Sequence, residues 1–112
     1  ERALKTAPNN YQGYSNLAVA HEDLGDIAAA QRAYVRALGL YPGDWTTLKN
    51  LASLNLRLSK QALAGGDRTR ALERLELARG YASRAVQLNP SWDKSREVVA
   101  AIQQYGEQVS RP

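Results

Sequence analysis

Tyr14, Leu17, Ala18, His21 and Leu24 fall at i, i+3, i+4, i+7 and i+10, which is one stripe of a helix. Ile27, Ala30, Tyr34, Ala37 and Leu38 make a second stripe after Gly25-Asp26. That dipeptide supplies a left-handed residue to end one helix and an N-cap to begin the next. Leu51, Leu54, Leu58 and Ala62, then Leu72, Leu75, Ala78 and Ala82, carry the same period through two further helices. Gly65-Gly66-Asp67 lies between them and reads as a second turn of the same kind, while Asp44 reads as the N-cap of the helix holding Leu48 and Leu51. Val98, Val99, Ile102 and Tyr105 form a last helix, capped by Ser91, with Asp93 in its first turn, ending near Gly106; Arg111-Pro112 is expected to fray. The pattern predicts an all-α chain.

Prolines punctuate it. Pro8, Pro42 and Pro90 each close an apolar stretch, and each has Ala five residues earlier with an aliphatic residue beside that Ala. The spacings are 34 and 48 residues, which marks an internal repeat with one enlarged copy. Residues 9–42 read as one helical hairpin, with small Ala18 and Ala30 letting the backbones approach and Tyr14 and Tyr34 filling the space around them. The second copy, 43–90, exceeds the first by 14 residues, or seven in each helix. Its apolar stripes run on through the excess, so the hairpin is predicted to be prolonged by about 10 Å, two turns per helix. A hairpin of two helices cannot enclose a core, so such units shield one another by stacking.

Residues 9–42 resemble a tetratricopeptide (TPR) repeat. Tyr14, Leu17-Ala18, His21 in a slot usually held by Tyr, Leu24-Gly25-Asp26, Ala30, Tyr34, Ala37 and Pro42 meet that family's 34-residue pattern. In the second unit, Leu48, Leu51-Ala52, Asn55, Ala78, Ala82, Ala85 and Pro90 meet it at both ends, with Ala82 replacing an aromatic residue. The resemblance implies an antiparallel helix-hairpin solenoid, a TPR-like right-handed superhelix, in a single domain over 1–112. Residues 1–8 would end a preceding helix, and 91–108 would be the solvating helix that closes the array. The first residue is Glu1 and the chain has no Met, so it reads as a piece of a longer protein whose array continued upstream.

Composition narrows the chemistry. With 44% hydrophobic and 23% charged residues, the chain is ordinary globular material. It has no Cys and one His, which removes disulfides, a thiol nucleophile and the usual zinc ligand sets. No apolar run reaches the ~18–20 residues of a membrane span. Glu22, Asp23 and Asp26 cluster without the loop spacing of a calcium site, and Gly65-Gly66 lacks the Lys-Ser/Thr of a phosphate loop. The serines have no base within sequence-plausible reach, and His21 reads as a packed structural residue. No enzyme, cofactor or metal site is expected. The net charge is +4, and Lys49 to Arg84 holds eight basic residues against Asp67, Glu73 and Glu76. Acids interleave with these bases at i, i+3, as expected for a solvated helix face.

The resemblance places the binding wall on the first helices, along the concave face. The residues falling there are Gln12, Ser15, Asn16, Val19, Glu22 and Asp23, then Lys49, Asn50, Ser53, Leu56 and Arg57. Asn16 and Asn50 can each donate to and accept from a peptide backbone, Lys49 and Arg57 can meet a carboxylate, and Tyr11 can add an aromatic platform. The chaperone-tail clamp of some family members is mostly unmet, since Ser15 and Val19 stand where Lys and Asn are expected. The expected function is therefore a non-catalytic protein–protein interaction scaffold for a peptide or partner helix. The alternatives are a substrate-positioning appendage of a larger enzyme, such as a glycosyltransferase or envelope-assembly protein, or RNA binding through the basic second hairpin. The last lacks a paired side-chain code, so nucleic acid is the weaker partner class. Self-association through uncovered terminal repeat faces is a further expectation, and the compartment is not legible.

Overall fold

The structure is a computed structural model that describes residues 7–110, with side chains from residue 11 onward. Among the described residues five helices follow one another: α1 (Ala7–Asp23), α2 (Ile27–Leu40), α3 (Trp45–Ala64), α4 (Arg68–Leu88) and α5 (Ser95–Ser110). No strand occurs among the described residues, and the chain is all-α. It divides into two compact units, residues 1–47 and 48–112.

Both hairpin turns are built by one device. Gly25 and Gly66 sit at φ 84° and 86°, a region closed to most side-chain-bearing residues. After each helix the Gly N–H reaches back three residues (Gly25 to the Glu22 carbonyl, Gly66 to that of Leu63) and the following Asp N–H reaches back five (Asp26 to His21, Asp67 to Ala62). This Schellman arrangement satisfies carbonyls left over at the helix end. The same Asp then caps the next helix: Asp26 Oδ1 accepts from the Ala29 N–H at 3.2 Å and Asp67 Oδ1 from the Arg70 N–H at 3.0 Å.

In the N-terminal unit α1 packs against α2, and Ala18, Ala30, Ala33, Tyr34 and Ala37 are buried. Small residues bring the backbones close, and Tyr34 supplies the bulk. Its hydroxyl donates to Glu22 Oε1 at 2.7 Å, which settles the phenol's polar end. Tyr14 is only half-buried, with the Arg36 guanidinium 5.4 Å from its ring centre. Two stripe positions differ from expectation. Leu24 is 81% exposed: it stands in the turn after Asp23, its N–H still bonded to the Ala20 carbonyl at 3.1 Å. Leu17 stays exposed beside the buried Ala18.

In the C-terminal unit Ala52, Ala71, Leu75, Ala78, Ala82, Ile102, Tyr105 and Val109 form the core, with Leu56, Ala62, Leu63, Tyr81 and Val98 packed on it. Each large aliphatic side chain so buried contributes about 1.5–3 kcal/mol. The α4 stripe runs through Ala71, Leu75, Ala78, Ala82 and Ala85; Leu72, expected on it, is exposed because Ala71 holds that turn's inward position. The second hairpin is the longer one as helix, but unequally: α4 has 21 residues where α2 has 14, the expected seven more, whereas α3 has 20 where α1 has 17, because α1 begins earlier than expected.

Three boundaries differ from the sequence reading. Ala7 and Pro8, assigned to the end of a preceding helix, stand in the first turn of α1, where Pro lacks only a hydrogen bond that the helix does not form. Residues 1–6 lie outside the described residues, as do Arg111 and Pro112. The final helix begins at Ser95 and not near 91: Ser91 donates to Asn89 Oδ1 at 3.1 Å, and Trp92 and Ser95 N–H groups close two successive turns first. It also runs past Gly106 to Ser110. Gly106 is a close-approach residue, since a Cβ there would lie 2.8 Å from Arg79 Nη2 and 3.3 Å from Leu75 Cδ2.

Candidate functional site

On α1 the positions 12, 16, 19 and 23 follow i, i+4, i+7 and i+11 and so share one face. Gln12, Asn16, Val19 and Asp23 on that face are all exposed. The two remaining residues of the predicted α1 set are half-buried and hydrogen-bonded. Glu22 takes the Tyr34 hydroxyl. Ser15 lies 2.7 Å from Thr47, oxygen to oxygen, and Thr47 donates to Asp44 Oδ2 at 2.5 Å. Thr47 has one hydroxyl proton, which the carboxylate takes, so Ser15 must be the donor to Thr47. The relay Ser15→Thr47→Asp44 ties the residues before and within the first turn of α3 to the middle of α1. Thr47 is fully buried, and sequence reading missed its part; the Asp44-x-x-Thr47 spacing at a helix start was the available signal. Asp44 thus stands where a cap was expected, and its carboxylate holds a side-chain hydroxyl.

Beside the exposed α1 face the N-terminal unit opens a groove of about 380 Å³, lined by Tyr11, Gln12, Ser15, Asn16, Asp44 and Thr46. The Tyr11 ring meets Tyr41 edge-on, with centroids 4.7 Å apart at 61°, a favoured aromatic geometry that fixes the platform at one end. Predicted residues Gln12, Ser15 and Asn16 therefore come together here, with Asp44 and Thr46 added.

The predicted residues on α3 belong to the C-terminal unit. Ser53 and Arg57 are exposed, Lys49 and Asn50 half-buried. Lys49 and Arg57 are each engaged in an interaction of their own. Leu56, expected on the binding wall, instead packs on the core of its unit, because its position turns toward the same side as Ala52 and Ser59. A second hollow, of about 340 Å³, lies between α4 and α5 and is lined by Arg79, Ala82, Ser83, Val99, Ile102 and Gln103.

Among the described residues no group of three or more His, Cys, Asp or Glu side chains converges as metal ligands do, and no helix is long and apolar enough to cross a membrane. His21 is half-buried near the end of α1. No protein-family model matches the chain, and no curated protein is significantly similar to it.

Proposed function

We propose that this chain is a TPR-like, non-catalytic interaction module that holds an extended polypeptide along the exposed face of α1. The observation that carries the reading is the groove of Tyr11, Gln12, Asn16, Asp44 and Thr46 opening beside the stripe Gln12–Asn16–Val19–Asp23. Carboxamides at i and i+4 suit a peptide backbone, because each offers both a donor pair and an acceptor. A chain in extended conformation rises ~3.3 Å per residue, so two turns of helix face match three or four of its residues. The 34-residue proline spacing and the matched pair of Gly-Asp turns support the family resemblance.

Selection from a library of unstructured peptides tests the reading. Enriched peptides should bind the chain, and Gln12→Ala with Asn16→Ala should weaken them at least tenfold while helicity by circular dichroism stays the same. Equal binding by the double variant removes the α1 face from the proposal.

A further inference from the structure

The groove has a charge character that bears on what it holds. Among the described residues, its lining carries one carboxylate, Asp44, and no cation. The stripe that continues from it ends at a second exposed carboxylate, Asp23. Asp44 does not swing freely, since Thr47 donates to its Oδ2 and is itself held by Ser15. A carboxylate offers about four acceptor sites, so this bond positions the charge and leaves room for a further donor. The half-buried Tyr11 ring, braced by Tyr41, gives an alkyl-ammonium or guanidinium group a π face at the same end. The cations described in the N-terminal unit, Arg32 and Arg36, line a different hollow on α2 with Gln31 and Val35.

Resting on the peptide-binding reading above, we infer that the occupant is a basic extended segment, with one Lys or Arg at Asp44 and a second, four residues away, at Asp23. The register comes from the helix. From the middle of the groove, around position 14, Asp23 lies nine residues along α1, or about 13.5 Å at ~1.5 Å per residue. Four residues of extended chain cover about 13 Å. Val19 lies five residues along, about 7.5 Å, which is close to two residues of the guest. Side chains of an extended chain alternate, so guest positions i, i+2 and i+4 face the helix together. The matching guest is therefore Lys-x-aliphatic-x-Lys, its backbone amides meeting Gln12 and Asn16 and its central side chain meeting Val19. An acidic guest would set its carboxylates against Asp44 and Asp23.

The test uses three blocked peptides of equal length: Gly-Lys-Ala-Val-Ala-Lys-Gly, and its twins with both lysines replaced by Gln or by Glu. The basic peptide should bind about tenfold tighter than the Gln twin at low salt, with the preference shrinking as salt rises. Asp44→Asn and Asp23→Asn should each remove roughly half of that preference on a logarithmic scale, and both together all of it. Asn at 44 retains an oxygen to accept from Thr47, so fold and groove persist. Moving the second lysine one position closer should also abolish the preference. The shifted lysine separates this register from general attraction: residues 1–47 carry four basic and five acidic residues, and diffuse attraction to that net negative charge is indifferent to which guest position holds the second lysine. If the Gln or Glu twin binds as tightly, or if the Asn variants keep the preference, the basic-guest assignment is wrong while the peptide groove stands. If library-selected peptides ignore Gln12 and Asn16, the groove itself is wrong.

Discussion

Ser59 is fully buried on α3, and its hydroxyl donates to the Ala71 carbonyl at 2.6 Å. That bond takes its only proton, so the Tyr105 hydroxyl, 3.0 Å away, is the donor to Ser59. Three helices meet at this one oxygen. Ser59→Ala leaves the Tyr105 hydroxyl and the Ala71 carbonyl without it, at a cost of about 1–3 kcal/mol. Tyr105→Phe removes one bond and leaves Ser59 its carbonyl, so its cost is smaller, about 0.5–1.5 kcal/mol. Urea unfolding of both variants should rank them in that order; the reverse order would mean that the Tyr105 hydroxyl has a further partner. Gly106 makes a second single-residue case. Alanine there gains helix propensity of about 1 kcal/mol, and the nearest obstacle is the movable end of Arg79, so Gly106→Ala should shift stability by less than about 1 kcal/mol. Gly106→Leu must displace Leu75 as well, and overpacking of that kind costs about 1–3 kcal/mol. A Leu variant as stable as the parent would show that α5 can slide away from α4.

At the scale of the element, the lengthened α3–α4 hairpin has a structural task. Its added turns contain Ser59, Ala62, Leu63 and Ala71, which face Tyr105 and Val109 in one core. Asn55, also buried, bridges by donating to the Leu51 carbonyl at 2.9 Å and accepting from Arg74 at 3.2 Å. Arg68, in the first turn of α4, donates to the Val109 carbonyl, satisfying one of the acceptors a helix leaves open at its C-terminal end. Removing Leu58–Ala64 and Arg68–Arg74 while keeping Gly65-Gly66-Asp67 should therefore leave a shorter hairpin on which the last two turns of α5 have nothing to cover them. Hydrogen exchange is the readout: amides of residues 103–110 should lose protection while those of α1 and α2 keep it. Retained protection would mean the extension is dispensable for α5. A milder change acts on the turn alone. Asp67→Ala removes the cap of α4, worth about 1 kcal/mol, and Asp26→Ala should cost α2 a similar amount, since the two turns share one geometry.

Over the whole molecule, charge is distributed unevenly: residues 48–112 hold eleven of the fifteen basic residues and six of the eleven acidic ones. Much of that basic excess is already committed within the chain. Arg68 binds a helix end, Arg74 binds Asn55, Arg79 pairs with Glu76 at 2.8 Å, and the Lys60 ammonium lies 5.6 Å from the Tyr105 ring centre. Release of condensed counterions needs several cations free to meet phosphates at once. Single-stranded RNA should accordingly bind no tighter than about 10⁻⁴ M near 0.15 M salt, the weak end of non-specific binding. A micromolar affinity falling steeply between 50 and 200 mM salt would reverse that assignment and restore RNA as a partner.

Helix existence, the two Gly-Asp turns and the enlarged second hairpin were legible in the amino-acid order, because period, capping and left-handed glycine are local matters that a dozen residues decide among themselves. Gln12, Asn16, Val19 and Asp23 were legible as one face for the same reason. What lies next to that face was not. Asp44 and Thr46 line the groove, while Ser15 and Glu22 are engaged by partners 32 and 12 positions away and Leu56 by packing on the core. Gly106 likewise read as a stop signal, since glycine ends many helices; only the approach of Arg79 and Leu75 from α4 makes it an interior position. Local spacing dictates which residues share a helix side, whereas contact between distant segments selects which of them water, or a guest, can still touch.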